Sequence, residues 1–244
     1  MSELARSFDR AAEAYERGRP GYADAALDAL DLPPDAVVLD LAAGTGKLTR
    51  QLVARFDRVI AVEPLDGMRV VLERVVPEAE ALHGSAEAIP LPDDSVDAVF
   101  VGEAFHWFAN DEVLREIARV LRPRGVLAIL FNQVAGDFEP ALPKAFWDAY
   151  HALAIKKPPE QTVSTGLWRA PFPGVFEPLT EASYPNPVEL DREGILAQAA
   201  SWSMVAALPE PDRTRLLAEL AEIVPDEHYR HPLRTELYWT RLNL

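Results

Sequence analysis

The sequence predicts an α/β protein built on a doubly wound, mostly parallel sheet, and three observations carry that prediction. Short apolar runs recur between residues 35 and 132, each leading through a turn into apolar residues at helical spacing. The first unit sets the pattern: Val37, Val38 and Leu39 end at Asp40, and the small-residue turn Ala42-Ala43-Gly44-Thr45-Gly46 leads to Leu48, Leu52 and Val53. Finally, 244 residues suffice for one large α/β domain, or for such a domain with a cap. Strand–helix alternation at this spacing implies parallel strands joined by right-handed crossovers, which brings the ligand-binding strand ends to one rim.

Taken in order, residues 2–17 place Leu4, Phe8, Ala11, Ala12 and Tyr15 on one helical stripe. Gly18-Arg19-Pro20-Gly21 breaks that helix, and residues 22–30 resume as a second one before Pro33-Pro34. Residues 1–34 are expected to form a helical lid with Tyr15 and Arg19 facing a ligand at the rim, the alternative being helices packed on the sheet. Strand two is expected at 59–62, ending at Glu63-Pro64, and a helix at 68–75. A weak third strand at 79–83 leads to Gly84-Ser85-Ala86-Glu87. The fourth strand, 96–102, runs into Glu103-Ala104-Phe105-His106-Trp107-Phe108. Asn110 or Asp111 caps a helix over 112–121, Pro123-Arg124-Gly125 turns the chain, and 126–131 is strand five. Residues 133–175, rich in proline and aromatics, read as an insertion with a helix near 140–154. Beyond it come a strand at 176–184, a helix from the cap Asp191 to about Met204, and another over 210–224. Residues 233–242 have strand propensity and close the sheet. The whole chain, 1–244, reads as a single domain, with 176–244 completing the sheet and cap.

Composition removes several function classes. Acids outnumber bases 39 to 24, a net charge of −15, and such a surface repels phosphate backbones. Nucleic acid is thus not the expected partner. No apolar run of membrane-spanning length occurs, and the charged, amphipathic N-terminus does not resemble a signal peptide. With no cysteine, thiolate metal sites and disulfides are excluded, which fits a cytoplasmic protein. His228-x-x-His231 is the one close histidine pair; Pro232 beside it argues for a solvated loop, and no metal site is expected.

Three features fall at consecutive strand ends: Asp40 with the Gly44-Thr45-Gly46 turn, Glu63, and Ser85-Ala86-Glu87. Such a turn brings a ligand against bare backbone and fits the charged, amino-acid end of a nucleoside ligand. A carboxylate at Glu63 accepts both hydroxyls of a ribose, and the Ser85–Glu87 turn offers a backbone N–H to an adenine edge. Competing motifs fail on spacing. A P-loop needs glycine where Leu41 stands and Ser or Thr where Leu48 stands; a dinucleotide fingerprint needs a third glycine where Thr49 stands.

VLDLAAGTGKLT, AVEPLDGM, GSAEAIPLPDDSVDAV and VLRPRGVLAIL, in that order, resemble the class I S-adenosylmethionine-dependent methyltransferases. More weakly, SFDRAAEAYERGRPGY, EAFHWF and the later LDREG, SWS and LRTELYW resemble a small-molecule branch that includes trans-aconitate methyltransferase-like proteins. The resemblance implies a Rossmann-like, seven-stranded sheet with an antiparallel last strand and a helical cap. It also implies S-adenosylmethionine as cofactor and methyl transfer to an oxygen, nitrogen or carboxylate of a small molecule. By position, Asp40, Ala42, Gly44, Thr45 and Gly46 then line the methionine portion and Glu63 the ribose. Pro64, Leu65 and Met68 pack near the nucleoside, Ala86 against adenine, and Glu103, Ala104 and Phe105 beside the sulfonium. Two positions depart from the family pattern. Ala42 occupies its first glycine, and Ser85 stands where an Asp often precedes the adenine contact, leaving Glu87 as the alternative.

Aromatic faces stabilise a sulfonium, and Phe105, Trp107, Phe108 and Tyr15 are placed for that. His106, just past strand four, has a side chain whose ordinary pKa near 6.5 suits a general base for a hydroxyl or amine acceptor. The alternative is a histidine that only positions its loop. For an anionic acceptor, Arg17, Arg19, Arg169 and Arg234 are the possible clamps. Two other classes stay open from sequence: a regulatory protein that binds the cofactor without turnover, and a nucleotide-dependent oxidoreductase.

Overall fold

The computed structural model describes residues 7–134, 142–153, 162–169, 172 and 174–243. A 3-10 turn, Ser7–Ala11, precedes α1 (Ala12–Gly18) and α2 (Asp24–Asp28). Then follow β1 (Val37–Leu41), α3 (Thr49–Val53), β2 (Arg58–Val62), α4 (Asp66–Val75), β3 (Glu80–Leu82) and β4 (Val96–Gly102). After them come α5 (Asp111–Val120), β5 (Leu121–Val134), α6 (Lys144–Leu153) and β6 (Thr180–Leu190). The chain finishes with α7 (Arg192–Ser201), α8 (Ser203–Ala206), α9 (Glu210–Ile223) and β7 (Tyr229–Arg241). No helix among the described residues is long and apolar enough to cross a membrane.

The seven strands form one sheet in the order β3-β2-β1-β4-β5-β7-β6. The five N-terminal strands are parallel, while β7 runs antiparallel to both β5 and β6. The order reverses at β1, whose neighbours are β2 and β4, so a crevice opens over the ends of these three strands. Central strands buried on both faces explain the near-continuous apolar runs. Leu39, Leu41, Val99, Val101, Leu127 and Ile129 enter one core, and the alternating Val38, Ala98, Phe100, Val126, Ala128 and Leu130 enter the other. A third cluster joins α6, α7 and α9 through Phe146, Ile195, Leu216 and Leu220, and it reaches the sheet at Tyr229 of β7.

Several boundaries differ from expectation for local reasons. The N-terminal segment starts as a 3-10 turn, and Leu4 lies outside the described residues. The predicted Pro123–Gly125 turn lies inside β5, where pairing with β4 jumps from Val96↔Leu121 to Ala98↔Val126 and Arg124 adopts φ 62°. The strand expected at 176–184 runs instead from Thr180 to Leu190. Pro185 and Pro187 are tolerated there because β6 is an edge strand with β7 as its one neighbour. Asn110 and Asp191 do cap α5 and α7, accepting from the Val113 and Gly194 N–H groups at 3.0 and 2.7 Å. The helix begun at Asp191 breaks at Trp202, which is extended (φ −67°, ψ 131°). His231 also departs from its expected loop: it lies within β7, half-buried, paired with Val188.

Candidate active site

The crevice over β1, β2 and β4 is a cleft of about 310 Å³. Its floor is the turn after β1. Ala42 adopts φ 60°, Gly44 φ 58° and Gly46 φ 88°, so the turn runs through the left-handed region three times. A side chain at Gly44 would meet nothing within 4 Å, since this residue borders the open cleft; one at Gly46 would strike Leu72 Cδ1 at 2.6 Å. The two glycines therefore do different work: Gly44 bares backbone to a ligand, and Gly46 lets α4 pack against the turn. Ala42 carries a Cβ where glycine is unstrained, at a cost of about 1–2 kcal/mol. Glycine's larger unfolded-state entropy takes back about 0.5–1 kcal/mol. Ala42→Gly is accordingly expected to raise stability by up to about 1.5 kcal/mol in urea unfolding, and not to lower it.

Asp40 and Thr45 lie behind the floor rather than on it. Asp40 is 1% exposed and accepts from Thr49 Oγ1 at 2.6 Å through Oδ2, while Oδ1 is buried with no hydrogen-bond partner among the described residues. Burial pushes its carboxyl up to about 7. Thr45 is fully buried and donates through Oγ1 to Glu16 Oε2 at 2.8 Å. Glu16 also pairs with Arg50 at 2.8 Å, so α1 is tied down onto the turn.

Glu63 forms the wall beyond. One oxygen accepts from the Gly44 N–H at 2.8 Å and the other from the Leu65 N–H at 2.9 Å. Desolvation pushes this carboxyl up to about 7 against those two hydrogen bonds. Pro64, Leu65 and Met68 line the same wall, and Ser85, Ala86 and Glu87 line the next, with Ala86 buried and Glu87 exposed. Among the expected contacts, these six share the cleft with Tyr15, Ala42, Gly44, Glu63, Glu103 and Ala104.

The segment after β4 behaves differently from its expected role. Glu103 (φ 56°) turns the chain and accepts from the Asn132 N–H. Phe105 is 0% exposed and packs among Phe108, Trp168 and Phe172 at ring distances of 5.7, 6.1 and 5.6 Å, behind the wall rather than beside the ligand. His106 is 6% exposed, wedged against Trp107 and Phe131 at 4.8 and 5.7 Å, and lines none of the described cavities. A base must reach the proton it removes, and this position matches the loop-positioning reading. Trp107 and Phe108 do line the cleft, together with Phe8, whose ring meets Tyr15 at 5.8 Å and Trp107 at 6.1 Å. Phe8 was visible in the sequence only as one position of a helical stripe. Asp9 Oδ1 accepts from the Gly67 N–H at 2.6 Å and fixes this aromatic roof to α4.

A second cavity, of about 160 Å³, adjoins the first and shares Tyr15 and Glu103 with it. It takes Arg19, Asn132, Trp147, Trp202 and His231 from five separate parts of the chain. Arg19 thus faces this space rather than the cleft; its guanidinium lies 5.2 Å from the Tyr15 ring centroid, and Nε donates to Ser201 Oγ at 2.8 Å. Burial and the nearby acids hold the Tyr15 hydroxyl at about 12, despite Arg19. The other arginines considered as clamps are engaged elsewhere. Arg17 pairs with Glu193, Arg169 donates to Tyr238 Oη at 2.7 Å, and Arg234 to Ser183 Oγ at 2.7 Å. Among the described residues, no cluster of His, Asp and Glu could hold a metal ion.

The first cleft suits a nucleoside with a cationic amino-acid tail. It offers a two-oxygen carboxylate on one wall, open backbone at Gly44, an apolar wall at Leu65 and Met68, and the buried, half-satisfied Asp40 behind the turn. Comparison with known proteins points the same way. A family model described as a methyltransferase domain matches residues 39–129. An uncharacterised methyltransferase of Mycobacterium tuberculosis is 51% identical over 131 residues, which span 53% of this chain and 54% of that protein. That match therefore covers about half of the relative's length. An uncharacterised methyltransferase-like protein of Schizosaccharomyces pombe is 34% identical over 215 residues, covering 86% of this chain and 82% of its own. Among solved structures, a candidate type II methyltransferase from Anaeromyxobacter dehalogenans superposes with a TM-score of 0.59 at 28% identity, over 92% of this chain and 97% of that one.

Proposed function

The chain belongs to the S-adenosylmethionine-dependent methyltransferases, and from that premise we propose that it methylates a small molecule held in the second cavity, with the cofactor in the first cleft. The observation that carries this reading is the pair of adjoining spaces with Tyr15 and Glu103 common to both. Bound S-adenosylmethionine supplies an already activated methyl group. What remains for the protein is to align the acceptor, exclude water and tolerate the cation.

Each task has residues fitted to it. Glu63 accepts ribose hydroxyls with the lone pairs left over from Gly44 and Leu65, since a carboxylate offers about four acceptor sites. The Gly44 backbone, backed by Asp40, receives the amino-acid end, and Leu65, Met68 and Ala86 enclose the nucleoside. Phe8, Tyr15 and Trp107 roof the cleft against water, and each aromatic face stabilises a nearby cation by about 0.5–2 kcal/mol. Glu103, at the junction, is the carboxylate that borders both spaces, beside the Tyr15 ring.

Calorimetry with S-adenosylmethionine, S-adenosylhomocysteine and NAD tests the reading. One-to-one binding of the first two without NAD binding is expected, as is S-adenosylhomocysteine release when an acceptor library is added. Tight NAD binding without S-adenosylhomocysteine binding would sink it. Cofactor binding without turnover across the library would point to the regulatory role instead.

A further inference from the structure

The second cavity has two unlike ends. At its inner end Tyr15 and Glu103 also border the first cleft; at its outer end Arg19, Trp147 and Trp202 also border a third space of about 240 Å³. Donors gather at the outer end. Arg19 gives Nε and Nη2 to Ser201 Oγ and to the Ser201 carbonyl, at 2.8 and 3.3 Å, yet ion-pairs with none of the described carboxylates. Trp147 Nε1 is buried with no hydrogen-bond partner among the described residues, and so is His231 Nε2 farther along the wall. Unsatisfied buried polar atoms are rare because they are costly, and two lining one small cavity call for a ligand that completes them. Burial lowers the His231 pKa, so its ring stays neutral and Nε2–H donates in one tautomer. Asn132 is largely engaged: one Nδ2–H donates to the Gly21 carbonyl, and its Oδ1 accepts from Thr235 and Asn186. The inner end instead presents the Glu103 carboxylate, and the walls between are the flat rings of Tyr22, Trp147 and Trp202.

We propose that the acceptor is a planar, singly charged anion with a hydroxyl or amine at the opposite end, its anionic group held by Arg19 and Trp147 Nε1 and its O–H or N–H directed at Glu103. This rests on the methyl-transfer reading above and adds which atom is methylated. The acceptor's oxygen or nitrogen forms the new bond to the methyl carbon while the sulfur–methyl bond breaks, and sulfur keeps that electron pair as a neutral thioether. The acceptor's proton passes to Glu103. The product is an ether or N-methyl compound rather than an ester, because a second carboxylate at the inner end would face Glu103 charge to charge.

Binding of four probes to the S-adenosylhomocysteine-loaded protein tests this: 4-hydroxybenzoate, its neutral amide, benzoate and terephthalate. 4-Hydroxybenzoate is expected to bind about tenfold or more tightly than the amide and than terephthalate, and more tightly than benzoate. Arg19→Gln and Trp147→Phe should each cut the preference over the amide by about fivefold or more, with S-adenosylhomocysteine affinity unchanged. Trp147→Phe removes the N–H but also shrinks the indole to a single ring, so the amide serves as the control: lost packing weakens anion and amide alike, whereas a lost charge-assisted hydrogen bond weakens the anion more. Equal binding of anion and amide would overturn the proposal, as would terephthalate binding best, a preference that survives both variants, or no binding by any anionic probe. Failure to load S-adenosylhomocysteine at all would instead overturn the reading on which it rests.

Discussion

Glu63→Ala is expected to weaken S-adenosylmethionine binding by about 1.5–3 kcal/mol, the range for hydrogen bonds to a charged group, or roughly 10–150-fold in calorimetry. The side chain joins two strand ends, accepting from Gly44 after β1 and Leu65 after β2. Its loss removes an acceptor for ribose and frees the two backbone segments that line the cofactor. Glu63→Gln separates the effects, since the amide retains one acceptor oxygen but turns an N–H₂ toward a backbone donor; an intermediate loss is expected. Affinity unchanged in Glu63→Ala would mean that the ribose lies elsewhere.

The same residue gives binding a pH dependence with a definite sign. Desolvation raises Glu63 and Asp40 to about 7, from ordinary values of 4.5 and 3.8. Ligand hydroxyls and a cationic tail favour the ionised carboxylates, so cofactor affinity should rise between about pH 6 and 8, with protons released on binding. Stability of the ligand-free protein moves the other way. Because both folded pKa values lie above the unfolded ones, the two groups stabilise the fold fully below about pH 4, and that contribution is lost as pH rises through about 7. A Glu63→Ala protein should show a shallower pH profile for binding, and a flat profile in the parent would contradict the linkage.

Much of this was legible because parallel strands buried on both faces leave an unambiguous apolar signature. The fourth strand was placed at 96–102, where β4 lies, and the carboxylates and glycines at the ends of β1 and β2 came with it. The reading failed where one residue's environment depends on distant chain. The strand expected at 176–184 runs on through Pro185 and Pro187 to Leu190, which only its edge position permits. The break at Trp202 lacks glycine or proline, and it turns an indole into a cavity that also draws on residues 15, 103, 132, 147 and 231. No local pattern announces a space assembled from such separate stretches. Across the turn after β4, neither the two-residue nor the 3.6-residue period applies. The sequence therefore could not say which of Phe105, His106, Trp107 and Phe108 points outward.

Phe105→Ala decides that last point by experiment, because its two possible positions predict different losses. Phe105 is fully buried against Phe108, Trp168 and Phe172, which links the turn after β4 to two distant rings of the insertion. Truncating such a ring removes its transfer energy and leaves a cavity, for a loss of about 3–5 kcal/mol in urea unfolding. In a chain of this size that lowers the thermal midpoint by roughly 6–20 °C. Phe105→Leu, which refills most of the space, should lose much less. The folded fraction of Phe105→Ala should still bind S-adenosylmethionine within a few-fold of the parent, since no cofactor contact is removed. Trp107→Ala is the counterpart: its ring lines the cleft against Phe8, so cofactor affinity should fall with a smaller change in stability. The reverse pattern, with Phe105→Ala stable but unable to bind, would put Phe105 beside the sulfonium, where the family resemblance had it. The two variants together then fix which aromatic ring of this turn faces the reaction and which one holds the turn in place.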